Sequence, residues 1–165
     1  MPSPFPASPA AQPDASDSLQ QLANHCFGCG PSNPQGLHLQ FALESSGSGA
    51  ITSTATIQLT SLHQGRTGYV HGGIIATLLD EAMSKLNRPF AVAAMTRHME
   101  IDYLRPVPLE TPLKIVGHHQ RRDGRKLFHT AEILGPDGKL LAKAKALFVV
   151  VDAAGISTAP SAGRA

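Results

Sequence analysis

Val70-His71-Gly72-Gly73-Ile74 stands just before a long run of apolar residues at helical spacing, and Asp80 stands inside that run. The first N–H groups of a helix have no partner within it and lie at the positive end of its dipole. They can hold an oxygen that gains negative charge while a carbonyl is attacked. Glycine at 72 and 73 leaves room for a ligand to approach those amides, although a glycine pair equally serves a tight turn. Asp80 is the candidate attacking group. Asp is a poor residue for a helix interior, and at about 100° per residue it falls just beyond the apolar arc, on a narrow polar face with Thr77 and Ser84. The blander reading of Asp80 is a solvated surface carboxylate.

Spacing sharpens the matter. Eight residues separate Gly72 from Asp80, a helix rise of about 12 Å. An oxyanion donor and an attacking group must both come within about 3 Å of one small carbonyl, so one helix does not easily present both. If the pair works together, Gly72 of one subunit faces Asp80 of another. Two helices antiparallel about a two-fold axis would then build two equivalent sites. With a reference pKa of about 3.9, Asp80 is ionised at neutral pH unless desolvation lifts it substantially.

The elements that must position these residues follow from periodicity. Leu37, Leu39, Phe41 and Leu43 alternate onto one face, which predicts a strand from 37 to 44. A second strand is expected over 50–59, with 45–49 as the hairpin loop. Ile74, Ile75, Leu78, Leu79, Ala82, Met83 and Leu86 predict a buried helix over about 72–88, ended by Pro89. Four extended stretches follow, 90–104, 113–121, 126–134 and 140–151, separated by turn residues at Arg105-Pro106, Asp123-Gly124 and Pro136-Asp137-Gly138. One long helix among about six antiparallel strands is an α+β layout, with the sheet covering the helix's apolar arc. The Pro- and Ser-rich residues 1–20 and the segment 153–165 read as disordered tails around a domain of 21–152.

The run His71-Gly72-Gly73-Ile74-Ile75-Ala76-Thr77-Leu78-Leu79-Asp80 resembles the catalytic helix of the 4-hydroxybenzoyl-CoA thioesterase-like superfamily, whose hotdog fold wraps a curved antiparallel sheet around one long central helix. Met95-Thr96, the stretch Asp102-Tyr103-Leu104-Arg105-Pro106-Val107-Pro108-Leu109, Asp123-Gly124-Arg125-Lys126 and the segment Cys26 to Leu37 are similar to the subgroup of phenylacetic-acid-pathway and related human thioesterases. The resemblance covers about residues 24–151. It implies an acyl-CoA thioesterase in which Asp80 is the catalytic carboxylate and the facing subunit's Gly72 amide is the oxyanion donor. His71, beside the Gly72-Gly73 pair, would orient the thioester carbonyl. Ser84 matches a position where relatives carry a Ser or Thr that positions water or the carboxylate, and Thr96 matches a helper threonine. Some relatives place a Gln six residues before the His, where this chain has Gly65 with Gln64 beside it. An acyl-CoA substrate and an obligate homodimer, or a dimer of dimers, are implied, with no cofactor and no metal. Direct attack would form a transient mixed anhydride, whereas general-base action would deliver water in one step; both stay open here. The rival readings are a hotdog dehydratase or hydratase and a non-catalytic acyl-CoA-binding module.

Charge and composition bound the partners. Residues 1–65 hold no Lys or Arg and three acids, Asp14, Asp17 and Glu44; the 14 basic residues all follow, with 9 acids, a net +5. That suits a phosphate-bearing ligand, with Arg105, Arg121, Arg122, Arg125 and Lys126 near turns as candidate contacts, and is too weak to argue for nucleic acid. Cys26 and Cys29 have the spacing of a redox pair or half a zinc site, to which His25 and His38 are possible recruits. No second Cys pair completes it, so a glycine-rich loop with two small thiols is the expectation. The start, 1–18, lacks both a basic residue and an apolar run, and no window reaches the ~20 apolar residues of a membrane helix. A cytoplasmic protein is expected.

Overall fold

The computed structural model describes residues 24–47 and 49–151. Both expected tails, 1–20 and 153–165, fall outside them. By its contacts the chain forms two units, Met1–His38 and Leu39–Ala165.

The described part of the first unit is a run of turns. Asn24 Oδ1 accepts the Cys26 N–H at 2.9 Å, and the Gly30 N–H donates to Cys26 O at 2.9 Å. A side chain at Gly30 would collide with the Cys26 and Asn24 backbone, so this tight winding requires glycine there. The Cys26 and Cys29 sulfurs lie within 4.8 Å of one another, and neither His25 nor His38 joins them in a metal-holding group among the described residues.

The second unit is a six-stranded, wholly antiparallel sheet carrying one long helix. Its elements are β1 (Ala42–Ser45), β2 (Ile51–Gln58), α1 (Gly72–Lys85), β3 (Ala94–Tyr103), β4 (Pro112–Asp123), β5 (Lys126–Leu134) and β6 (Leu140–Val150), with short 3-10 turns at Ser61–His63 and Arg88–Phe90. The strand order is β1-β2-β4-β5-β6-β3. This is the hotdog layout expected. Gly124 (φ +55°) and Gly138 (φ +75°) close the β4–β5 and β5–β6 hairpins in the left-handed region that favours glycine.

α1 packs on the sheet face built by β2 to β6. Leu78, Leu79, Ala82, Met83 and Leu86 are fully buried, as are Leu113, Ile115, Leu127, Ala131 and Ile133 of the strands. Each such Leu or Ile contributes about 1.5–3 kcal/mol of transfer free energy. The closest approach is at Gly117 of β4, where an added Cβ would lie 2.8 Å from Ala82 O. Beside it, buried Ser53 donates its hydroxyl to Ala82 O at 2.7 Å.

Two boundaries differ from expectation. α1 ends at Lys85, not 88: the Leu86 N–H turns to Met83 O at 3.1 Å, Ser53 caps Ala82 O, and Pro89 sits in the first turn of the next 3-10 segment instead of terminating α1. The first strand starts at Ala42, not Leu37, because His38 adopts φ +50° and breaks the extended run; all four β1 residues are exposed. No helix among the described residues is long and apolar enough to cross a membrane.

Candidate active site

The start of α1 is held from several sides. Gln64 pairs with Val70 in an antiparallel bridge, and the His71 N–H donates to His63 O at 2.9 Å. Gly65 lies against this bridge, where a Cβ would come 2.9 Å from His71 Cα. His71 is the N-cap, extended at φ −64° and ψ 138°. Its carbonyl accepts the Ile74 and Ile75 amides at 3.0 and 3.1 Å, and its Nδ1 accepts the Gly73 N–H at 2.9 Å. That leaves the Gly72 N–H, alone among the first helical amides, without an acceptor among the described residues. The Gly72 carbonyl accepts the Tyr103 hydroxyl at 3.2 Å. Gln64, beside the slot that relatives fill with Gln, uses its side-chain oxygen to accept the Gly68 N–H at 3.0 Å and so braces its own turn.

Asp80 lies partly buried in the third turn of α1. Thr96, at the start of β3 beside a register shift, donates its hydroxyl to Asp80 Oδ1 at 2.7 Å. Burial pushes the Asp80 carboxyl above its ordinary value, the Thr96 bond pulls it partly back, and the neighbouring Glu81 charge adds to the rise. The other hydroxyls of this face turn to the helix backbone: Thr77 donates to Gly73 O and Ser84 to Glu81 O, each at 3.0 Å. Thr96, not Ser84, is therefore the hydroxyl that meets the carboxylate.

β3 shows how far apart the two halves lie. Thr96 pairs with Phe148 and Tyr103 with Ala142 of β6. Seven residues of β3 and six of β6, about 20 Å, separate these pairs, the odd residue lying at the register shift. Within one chain, Asp80 and Gly72 are tied to opposite ends of the same strand.

The basic residues do not form one cluster in one chain. Arg121 stacks on the Phe128 ring at 3.6 Å, Arg122 donates to Gly124 O at 3.0 Å, and Arg125 donates to Val150 O at 2.8 Å, all around the β4–β5 hairpin with Lys126. Arg105 donates to Leu140 O at 2.7 Å, at the other end of β6.

Sequence reasoning assigned no role to two histidines that pair beneath the C-terminal end of α1. His129 is 1% exposed; its Nε2 lies 3.0 Å from Asn87 Oδ1 and its Nδ1 3.2 Å from His119 Nδ1. Since a side-chain amide oxygen only accepts, His129 donates from Nε2 and receives from His119. Burial, reinforced by His119, lowers the His129 pKa to about 4. Alternation on β5 marks position 129 as inward-facing; nothing local identifies its partners, 10 and 42 residues away.

With this geometry in hand, similarity to known proteins is informative. The model of a family described as the thioesterase superfamily matches residues 67–142, a span that includes α1, Thr96 and Tyr103. A solved structure of a thioesterase superfamily protein superposes with a TM-score of 0.66 at 32% identity, covering 86% of this chain and 69% of that one. Acyl-coenzyme A thioesterase THEM4 of Rattus norvegicus is 38% identical over 90 residues, 54% of this chain and 39% of its own length. The chain thus spans about two fifths of the length of the curated relatives it matches. The E. coli PaaI protein from the phenylacetic acid degradation operon shares the fold, with a TM-score of 0.63 at 19% identity over 70% of this chain and 81% of its own.

Proposed function

The chain belongs to the thioesterase superfamily, and from that premise we propose that it hydrolyses acyl-CoA thioesters to free acid and CoA in a site shared by two copies. Asp80 attacks the thioester carbon or activates water, and the partner's Gly72 amide holds the developing oxyanion. The observation that carries this reading is the pairing of a partly buried carboxylate fixed by Thr96 with a Gly72 amide that has no acceptor among the described residues, on the same helix and too distant to act on one carbonyl within one chain.

The edge position of β3 supports the shared site. Ten residues long, β3 pairs only with β6 among the described strands. Met95, Tyr103 and Leu104 on and beside it are 63%, 54% and 46% exposed. An open edge strand with exposed apolar side chains at both ends is a template for a second strand. A two-fold axis near Glu100, midway between the Thr96 and Tyr103 pairs, would set Thr96 of one strand opposite the partner's Tyr103 in antiparallel register. Asp80 is held by its own Thr96 and Gly72 by its own Tyr103, so the two half-sites then meet. The same operation brings the β4–β5 hairpin of one copy, with Arg121, Arg122, Arg125 and Lys126, toward the end of the other that carries Arg105. These cations are the proposed contacts for the CoA phosphates. Two such dimers stacking through their outer sheet faces would give the tetramer.

In the reaction, both Asp80 mechanisms start from the ionised carboxylate. Its partial burial makes it a stronger base than a solvated Asp, and the Gly72 amide, preorganised by the helix dipole, offers stabilisation of about 2.7–4 kcal/mol typical of one oxyanion donor. The test is thiol release from acetyl-, butyryl-, palmitoyl- and benzoyl-CoA by the purified chain and by Asp80→Asn. Hydrolysis that is about 10²–10⁴-fold slower in the variant is expected. Equal rates would remove the assignment, and a changed double-bond absorbance on enoyl-CoA without thiol release would point to a hydratase.

A further inference from the structure

We infer that Tyr103 and Gly73 are positioning residues that lock His71 in a single tautomer, with the ring proton on Nε2, and that this N–H is a second donor to the carbonyl oxygen beside the Gly72 amide. The inference deepens the thioesterase reading and rests on it only for the identity of that carbonyl; the state of the ring stands on geometry alone.

A backbone N–H can only donate. The Gly73 N–H points at His71 Nδ1 across 2.9 Å, so Nδ1 presents its lone pair and the proton of the neutral ring belongs to Nε2. The Gly73 N–H belongs to the Gly72–Gly73 peptide, whose carbonyl oxygen accepts the Tyr103 hydroxyl at 3.2 Å. A hydrogen bond received at the oxygen of a peptide strengthens donation from its nitrogen, so Tyr103 reinforces the Gly73-to-His71 bond through one amide plane. Sterics hold the same arrangement. An added Cβ at Gly73 would come 3.1 Å from His71 Nδ1, so glycine there keeps the ring seated over the amide, and Gly65 presses on the ring's own backbone from the other side. His71 is exposed at the mouth of α1, one residue before the Gly72 amide that lacks an acceptor among the described residues, with its remaining ring nitrogen turned away from the amide that it caps.

Two consequences separate this from a capping role alone. With Nδ1 engaged and Nε2 protonated, His71 is a donor and not the general base. Gly73 contributes through the ring, not by offering its own amide to the oxyanion.

Long-range 1H–15N correlation spectra of the uniformly 15N-labelled full chain read the tautomer without any ligand, with the His71 signals identified by their loss in His71→Asn. That variant keeps a capping acceptor at the N-cap but has no Nε2–H. The wild-type spectrum is expected to show the Nε2–H form. In Tyr103→Phe the Gly73 amide proton should shift upfield and exchange faster, while kcat on butyryl-, palmitoyl- or benzoyl-CoA falls about tenfold with KM little changed, the effect of one hydrogen bond. His71→Asn should lower kcat while leaving the melting temperature near that of wild type. An Nδ1–H or mixed tautomer in wild type overturns the inference, as does a Tyr103→Phe protein with an unmoved Gly73 amide and unchanged kcat. A wild-type protein with the Nε2–H tautomer but no thiol release overturns the thioesterase reading instead.

Discussion

The Thr96 hydroxyl donates to Asp80 Oδ1 across 2.7 Å, joining the first residues of β3 to the third turn of α1. The bond opposes the burial that raises the carboxyl's pKa. Thr96→Ala removes the lowering influence and keeps the raising ones, so the Asp80 pKa climbs further. In the proposed mechanism the ionised form is the active one, so the acid limb of the kcat/KM profile should move to higher pH, with the largest loss of activity on the acid side. Profiles of the two proteins on one acyl-CoA check this; superimposable acid limbs would show that Thr96 does not act on the carboxylate.

Asp80 also links activity to stability. A pKa raised in the fold means that the folded state favours the protonated form, so the contribution is stabilising at low pH and is lost as pH rises through the folded value. The ionised side chain that the proposed mechanism uses is the less stable form in the fold. Asp80→Asn keeps an acceptor for Thr96 without the charge. It should melt at the same temperature as wild type or higher near pH 7, even as turnover falls by orders of magnitude. A marked drop in melting temperature would mean that the lost activity reflects damage to the fold.

His129 carries the opposite sign. Its pKa falls from 6.5 to about 4 on folding, so the unfolded chain binds the extra proton first. Stability from this group is complete above about pH 6.5 and is lost as pH drops toward 4. Thermal melts between pH 7 and pH 4 should show a fall that is shallower in His129→Gln, although that variant starts from a lower melting temperature because the bond to Asn87 and the packing against Phe148 are disturbed. Equal slopes in the two proteins would assign the acid sensitivity to other groups.

These predictions rest on features of uneven visibility in the sequence. The long helix, the late hairpins and the candidate pair Gly72 and Asp80 were legible because each is local: 3.6-residue periodicity, Asp-Gly turns, and glycines at a helix start. Thr96 was legible only through family resemblance, since nothing in its neighbours says which strand end reaches Asp80. Tyr103 stands in a stretch similar to the family, but its role is not legible there, because its bond to Gly72 spans 31 residues. The early end of α1 was hidden for the same reason: Ser53, 29 residues upstream, takes the carbonyl that would have continued the helix. Alternation at Leu37 to Leu43 misled, because a backbone twist at His38 leaves no mark in an apolar pattern.

The two ends of β3 frame the remaining question, which is whether one chain's carboxylate works with another's amide. Gly72 is the first residue of α1 and follows an extended His71, a setting in which proline fits the helix and differs by deleting the N–H. Gly72→Pro should therefore fold and dimerise while losing about 10²–10³ in kcat. Asp80→Asn should be inactive for the other reason, the loss of the proposed catalytic carboxylate. Mixed by co-expression or by unfolding and refolding together, the two inactive proteins should regain about a quarter of wild-type activity, since half of the dimers are mixed and each mixed dimer holds one complete site. A mixture no more active than its components, with mixed dimers shown to be present, would contradict a site shared between subunits.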